Sequence, residues 1–97
     1  MISLPYGRSF NERDLLRYIK ASGRDYIIQG QQTHSFANHN KPQSLDYWLR
    51  KNYAYNRNVK QAENSVIADL VATGLFVVVR RLRCPDKHTY CKGIRIV

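Results

Sequence analysis

Residues 64–84, NSVIADLVATGLFVVVRRLRC, constrain the fold more than any other stretch of the chain. Apolar residues at helical spacing run up to Thr73, and a single glycine, Gly74, follows. Phe76 to Val79 are then aromatic or β-branched and have the composition of a strand. A glycine in this position suits the left-handed residue that ends a helix, and Leu75 can then pack back against the helix it has left. The strand that begins there fills with Arg80, Arg81 and Arg83.

Plotted at 100° per residue, the helix spans about 59–73. Val59, Val66, Ile67 and Leu70 fall on one side, with Val71 at its edge. Gln61, Asn64, Ser65, Ala68 and Ala72 fall on the other, with Arg57 and Asn58 just ahead of the helix start. This outer face reads as lean and polar, with no acid and no bulky apolar group.

Upstream, SFNERDLLRYIKASG marks both ends of a first helix, expected over 11–22. Ser9 and Glu12 fit a capping box, and Gly23 fits the position after the helix end. Leu15, Leu16 and Ile19 form its apolar stripe. DYIIQ, 25–29, reads as a short strand. Residues 30–43, GQQTHSFANHNKPQ, keep no helical or strand period and read as a long polar loop inserted into the domain. Ser44 is a good N-cap for a second helix over about 45–51, carrying Leu45, Trp48 and Leu49. NYAYNRN follows as a polar turn with two tyrosines.

The C-terminal segments LFVVVRRLRC and YCKGIRIV read as two strands joined by PDKHT. Their register is a question of parity. An odd turn places Val78 and Leu82 on one face with Ile94 and Ile96, closing the core, and sets Arg81, Arg83 and Arg95 on the other face as a basic comb. An even turn mixes the faces and brings Cys84 opposite Cys91. The buried pattern favours the odd turn.

The charge is large and unevenly placed. Sixteen Lys and Arg against seven Asp and Glu give +9, a field that attracts polyanions. The segment 76–97 holds six basic residues and one acid. With 97 residues and a hydrophobic share of 43%, the chain can bury one modest core, which favours a single domain over 1–97. No apolar run approaches the roughly 20 residues that span a bilayer, and no signal peptide is recognisable, so no membrane role and a cytoplasmic location are expected.

The segment 58–97, NVKQAENSVIADLVATGLFVVVRRLRCPDKHTYCKGIRIV, resembles a winged helix-turn-helix DNA-binding domain. In that family a recognition helix ends in a leucine, a few small residues and a glycine, and a strand, a basic wing and a closing strand follow. Residues 11–29 correspond to the family's first helix and first strand, whereas the polar insertion at 30–43 departs from its compact pattern. The resemblance implies an α+β fold of three helices, a small antiparallel sheet and a C-terminal β-hairpin wing. It also implies a regulatory or architectural protein of a prokaryotic or viral setting that binds double-stranded DNA. The helix at 59–73 would enter the major groove with Arg57, Gln61 and Asn64 on base edges. Lys60, Arg81, Arg83, Lys87 and Arg95 would hold phosphates, with the wing tip and His88 against backbone or minor groove. Single winged domains often need a second copy for specificity, which leaves room for a homodimer.

Other chemistry finds less support. Cys84, His88 and Cys91, with His34 or His39, fall short of the paired close spacings of a structural zinc site, and two ordinary thiols is the simpler reading. No phosphate loop, dinucleotide fingerprint or catalytic acid pair is present, so neither an enzyme nor a cofactor is expected. Two alternatives stay open. One is a protein-interaction module of the same fold, docking a protein partner in a nucleoprotein or phage assembly. The other is a single-stranded nucleic-acid binder using Tyr53 and Tyr55, with Tyr47 nearby and Trp48 assigned to the core.

Overall fold

The first element is a two-stranded ribbon that the sequence reading did not anticipate. β1 (Ile2–Ser3) pairs antiparallel with β2 (Ser9–Phe10), Ile2 opposite Phe10. Leu4 N–H donates to the Arg8 carbonyl at 2.7 Å, and Gly7 takes φ +74° in the turn. The alternation is that of a half-buried ribbon: Ile2, Leu4 and Phe10 are buried, Ser3 and Ser9 exposed. The computed structural model describes residues 1–4, 7–29, 44–53, 60–83 and 90–97, without the side chains of 60–64, 83, 90 and 91.

The ribbon changes the cap of the first helix. Ser9 is held in β2, and the N-cap of α1 (Glu12–Ala21) is Asn11, not Ser9. Asn11 is extended (φ −86°, ψ 124°), and its side-chain oxygen accepts from Arg13 N–H at 2.9 Å. The far end is as expected. Gly23 adopts φ +79°, its N–H donates to the Lys20 carbonyl at 3.0 Å, and Ser22 Oγ donates to the Ile19 carbonyl at 2.6 Å. Leu15 and Ile19, one turn apart, are fully buried, and Leu16 packs at the margin of the core.

β3 (Tyr26–Ile28) leads to residues 30–43, and the expected loop there lies outside the described residues. Its two ends are close together. Ile28 and Ser44 form a parallel bridge, and Asp46 N–H donates to the Gln29 carbonyl at 3.3 Å. α2 (Leu45–Tyr53) therefore starts where its cap predicts, with Ser44 Oγ accepting from Tyr47 N–H at 3.3 Å, and runs two residues past the expected end at 51. Arg8 donates to the Tyr53 carbonyl at 3.0 Å, a cation on the negative end of this helix.

α3 (Lys60–Ala72) buries Val66, Ile67 and Leu70 and half-buries Val71, as its periodicity predicts. Its outer face differs in one respect: Asp69 is exposed, one turn after the exposed Ser65, so this face does carry an acid. The helix closes through Thr73 Oγ1 on the Leu70 carbonyl (2.5 Å) and Gly74 N–H on the Val71 carbonyl (3.1 Å), with Gly74 at φ +81°. Leu75 then packs on the core.

β4 (Phe76–Arg83) and β5 (Tyr90–Ile96) complete a three-stranded antiparallel sheet of order β3–β5–β4. The central strand matches Ile94 with Ile27 on one side and Val78 on the other. The helices cover the Ile27–Ile94 face, where Phe76 is buried and Ile96 half-buried. Phe10 and Trp48 meet edge to face at 5.3 Å in the same core. No helix among the described residues is long and apolar enough to cross a membrane.

The hairpin register departs from the expected pattern. From Phe76 opposite Ile96 to Val79 opposite Gly93 it has the expected parity, but it slips by one residue between Val79 and Leu82. Beyond the slip, Leu82 pairs with Cys91 and Arg83 with Tyr90. Leu82 therefore leaves the Ile94 face and is buried over Gly93 with Ile28 beneath it: a Cβ on Gly93 would stand 2.6 Å from Leu82 Cδ1, 2.9 Å from Ile28 Cα and closer still to the Ile27 carbonyl oxygen. Val78 keeps its place opposite Ile94 but lies on the edge strand, where it remains 40% exposed, and Phe76 fills the core position instead.

Two glycine substitutions separate conformational from steric demand. Gly74→Ala has open space for the methyl group but a left-handed backbone, so it should cost about 1–2 kcal/mol. Gly93→Ala meets backbone on one side and Leu82 on the other, and should cost at least about 3 kcal/mol. Urea denaturation checks both; a Gly93→Ala protein as stable as the parent would contradict the close packing of the three strands.

Candidate nucleic-acid interface

Two of the eight expected contact residues have described side chains. Arg81 is exposed within the irregular part of β4. Arg95 is exposed on β5, opposite Val77 and Tyr26, and its Nε lies 3.4 Å from Asp25 Oδ2. With both partners largely in water (46% and 66% exposed), this ion pair is worth under about 1 kcal/mol and leaves the guanidinium open to exchange for a phosphate. The backbones of Lys60, Gln61 and Asn64 lie in the N-terminal part of α3, and that of Arg83 at the end of β4, but their side chains are outside the described residues. Arg57, Lys87 and His88 lie outside them altogether, as do Tyr55, His34, His39 and Cys84.

The single comb of Arg81, Arg83 and Arg95 does not survive the register slip. Arg95 belongs to the part of the hairpin before the irregularity and Arg83 to the part after it. A one-residue slip exchanges the parity of a strand, so Arg83 and Arg95 no longer share one register. Two further cations lie on the hairpin. Arg80 and Lys92 are exposed on the same pair of strands, and the arginine pair in VVVRRLR was the available signal for the first. With Val77 and Val78 exposed beside Arg80 and Arg81, β4 forms an edge whose charge opposes strand-to-strand aggregation.

The tyrosines are sorted differently from expectation. Tyr53 is half-buried against Phe10 (5.5 Å) and Trp48 (5.2 Å), and burial pushes its phenol above the usual range. It is a packing residue more than a surface platform, whereas Trp48 is core as expected. The open aromatic surface lies elsewhere, where Tyr18 of α1 and Tyr47 of α2 border a cleft with Trp48, Lys51 and Asn52. Burial, then the neighbouring Tyr47, raises the Tyr18 phenol, with Arg24 acting in the opposite direction.

Comparison with protein-family models, curated proteins and solved structures finds no match for this chain.

The Tyr18 shift has a measurable consequence. A phenol whose folded value is raised contributes stability that is complete below its ordinary value of 10.0 and is lost as the pH rises through the folded value. Phenolate absorbance should therefore contain a late-ionising component that Tyr18→Phe diminishes. Unchanged late ionisation in that variant would contradict the burial of the hydroxyl.

Proposed function

We propose that this protein is a winged-helix domain that binds double-stranded DNA, with α3 in the major groove and the β4–β5 hairpin as the wing. The observation that carries the reading is the assembly of the sheet: the strand after α1 joins the last strand, and α3 passes through Gly74 directly into the β4–β5 hairpin. That is the element order the resemblance implies, and the residues flanking 30–43 are bridged, Ile28 to Ser44. The electrostatics support it. The net charge is +9, and Arg80, Arg81, Lys92 and Arg95 are exposed on the hairpin strands.

In this reading Arg57, Gln61 and Asn64 address base edges from the start of α3. Lys60, Arg81, Arg83, Lys87 and Arg95 hold phosphates, now with Arg80 and Lys92 added. Asp69 lies in the C-terminal half of α3. An acid there favours a docking pose in which only the first turns of the helix approach the duplex, because a carboxylate close to phosphates is repelled. The role in this reading is regulatory or architectural. The protein-interaction reading draws on one observation, the exposed Val77 and Val78 on the edge strand.

The test is charge reversal at the wing. Arg83→Glu with Lys87→Glu should lower affinity for duplex DNA by about tenfold or more at 0.1 M salt while circular dichroism is unchanged. Undiminished affinity would remove the wing from the interface. Gln61→Ala with Asn64→Ala should flatten sequence preference more than it lowers non-specific affinity, since each bidentate amide contributes about 1–3 kcal/mol of discrimination. An untouched preference would mean another element reads the bases.

A further inference from the structure

The cleft between α1 and α2 has a chemistry that duplex binding does not use. Its volume is about 320 Å³, at the lower end for ligand-sized sites, and its walls are Tyr18, Tyr47, Trp48, Lys51 and Asn52. None of these comes from α3, β4 or β5. Among the described residues no carboxylate lines it. The walls offer aromatic rings, two phenol hydroxyls, an ammonium group and an amide.

Each of these has a defined posture. The Lys51 ammonium lies 5.6 Å from the centre of the Tyr47 ring, a cation–π contact that keeps both groups at the cleft. Asn52 donates one amide hydrogen to the Trp48 carbonyl at 2.9 Å, which fixes its plane and turns the rest of the amide to other partners. Trp48 is itself held between Phe10, Tyr18 and Tyr53, so the floor is rigid. The raised Tyr18 phenol remains protonated, and therefore a donor, throughout the neutral range.

We propose that this cleft receives one unstacked nucleotide of a single-stranded nucleic acid, its base against the Tyr47 and Tyr18 rings and its phosphate at Lys51. The ligand class follows by exclusion. A cationic guest is opposed by Lys51, by Arg24 beside Tyr18 and by the net charge of +9. A purely apolar guest would strip water from the Lys51 ammonium and the Asn52 amide without replacing their hydrogen bonds. A planar ring that carries an anion satisfies every wall, and a base in a strand does so with little dependence on sequence. Asn52 supplies the group that can pair with a base edge.

Trp48 is the sole tryptophan of the chain and forms part of the cleft wall, so its fluorescence reports occupancy. Titration with a 15-residue oligothymidylate at low salt should quench it saturably. Lys51→Glu should weaken that binding about tenfold, and Tyr47→Ala about tenfold or more. Lys51 is exposed, so its variant remains informative even where Tyr47→Ala impairs folding. Absence of quenching, or quenching that both folded variants retain unchanged, would overturn the proposal. Two further arms identify the source. Thymidine monophosphate that binds as tightly as the oligomer would reassign the cleft to free nucleotides, and equal quenching by duplex would rule out an unstacked base. Duplex binding lost on reversing Arg83 and Lys87 reads the wing alone, so the two proposals fail separately.

Discussion

The sheet depends on one close approach. At Gly93 the central strand runs between β3 and β4 with Leu82 lying across it, and no side chain fits between them. That contact joins residues far apart in sequence: Ile28 from the first third of the chain, Leu82 and Gly93 from the last. It also explains why the irregularity between Val79 and Leu82 is tolerated. The slip costs ladder hydrogen bonds but carries a leucine over the glycine, where it is buried. The same slip redistributes the arginines of the hairpin, so the electrostatic shape of the proposed wing is set by a packing event beneath it.

The helices and the strand boundaries were legible wherever a local rule had no competitor. Gly23 and Gly74 take the left-handed conformation their positions demanded, and Ser44 caps α2. Val66, Ile67 and Leu70 are buried on the side of α3 that their spacing assigned. Where two local rules competed, the tertiary structure chose. Ser9 could cap a helix or pair in a strand, and the burial of Ile2 and Phe10 decides for the strand, leaving the cap to Asn11. The ribbon itself is only two residues long on each side, too short for any periodicity to reveal. The register slip was hidden for a different reason. Both parities bury an apolar residue at some position of VVVRRLR, and only the missing Cβ of Gly93 discriminates between them. For the candidate site, the excess of basic residues was visible at once, but its partition over the hairpin faces and the recruitment of Tyr18 and Lys51 into one cleft require the fold.

Asp14 pairs with Arg17, Asp46 with Arg50 and Asp25 with Arg95. The first and last of these are surface pairs of small net worth, easily exchanged for phosphate. Asp46 differs, being buried at the start of α2, where the helix N-terminus also favours its charge. Its backbone N–H, donating to the Gln29 carbonyl, ties the start of α2 to the end of β3, and α2 carries four of the five described residues of the aromatic cleft. The two proposed nucleic-acid surfaces therefore rest on different parts of one framework: the hairpin on the Gly93 crossing, the cleft on the α1–α2 contact around Trp48.

The most direct test of the central claim is the salt dependence of binding between the native protein and random duplex DNA, followed by fluorescence anisotropy. Neutralisation of four or more phosphates by α3 and the hairpin predicts a slope of log affinity against log salt of about −3 or steeper. A flat dependence, or no binding at low salt, would contradict it and would leave the exposed edge of β4 as a surface for a protein partner.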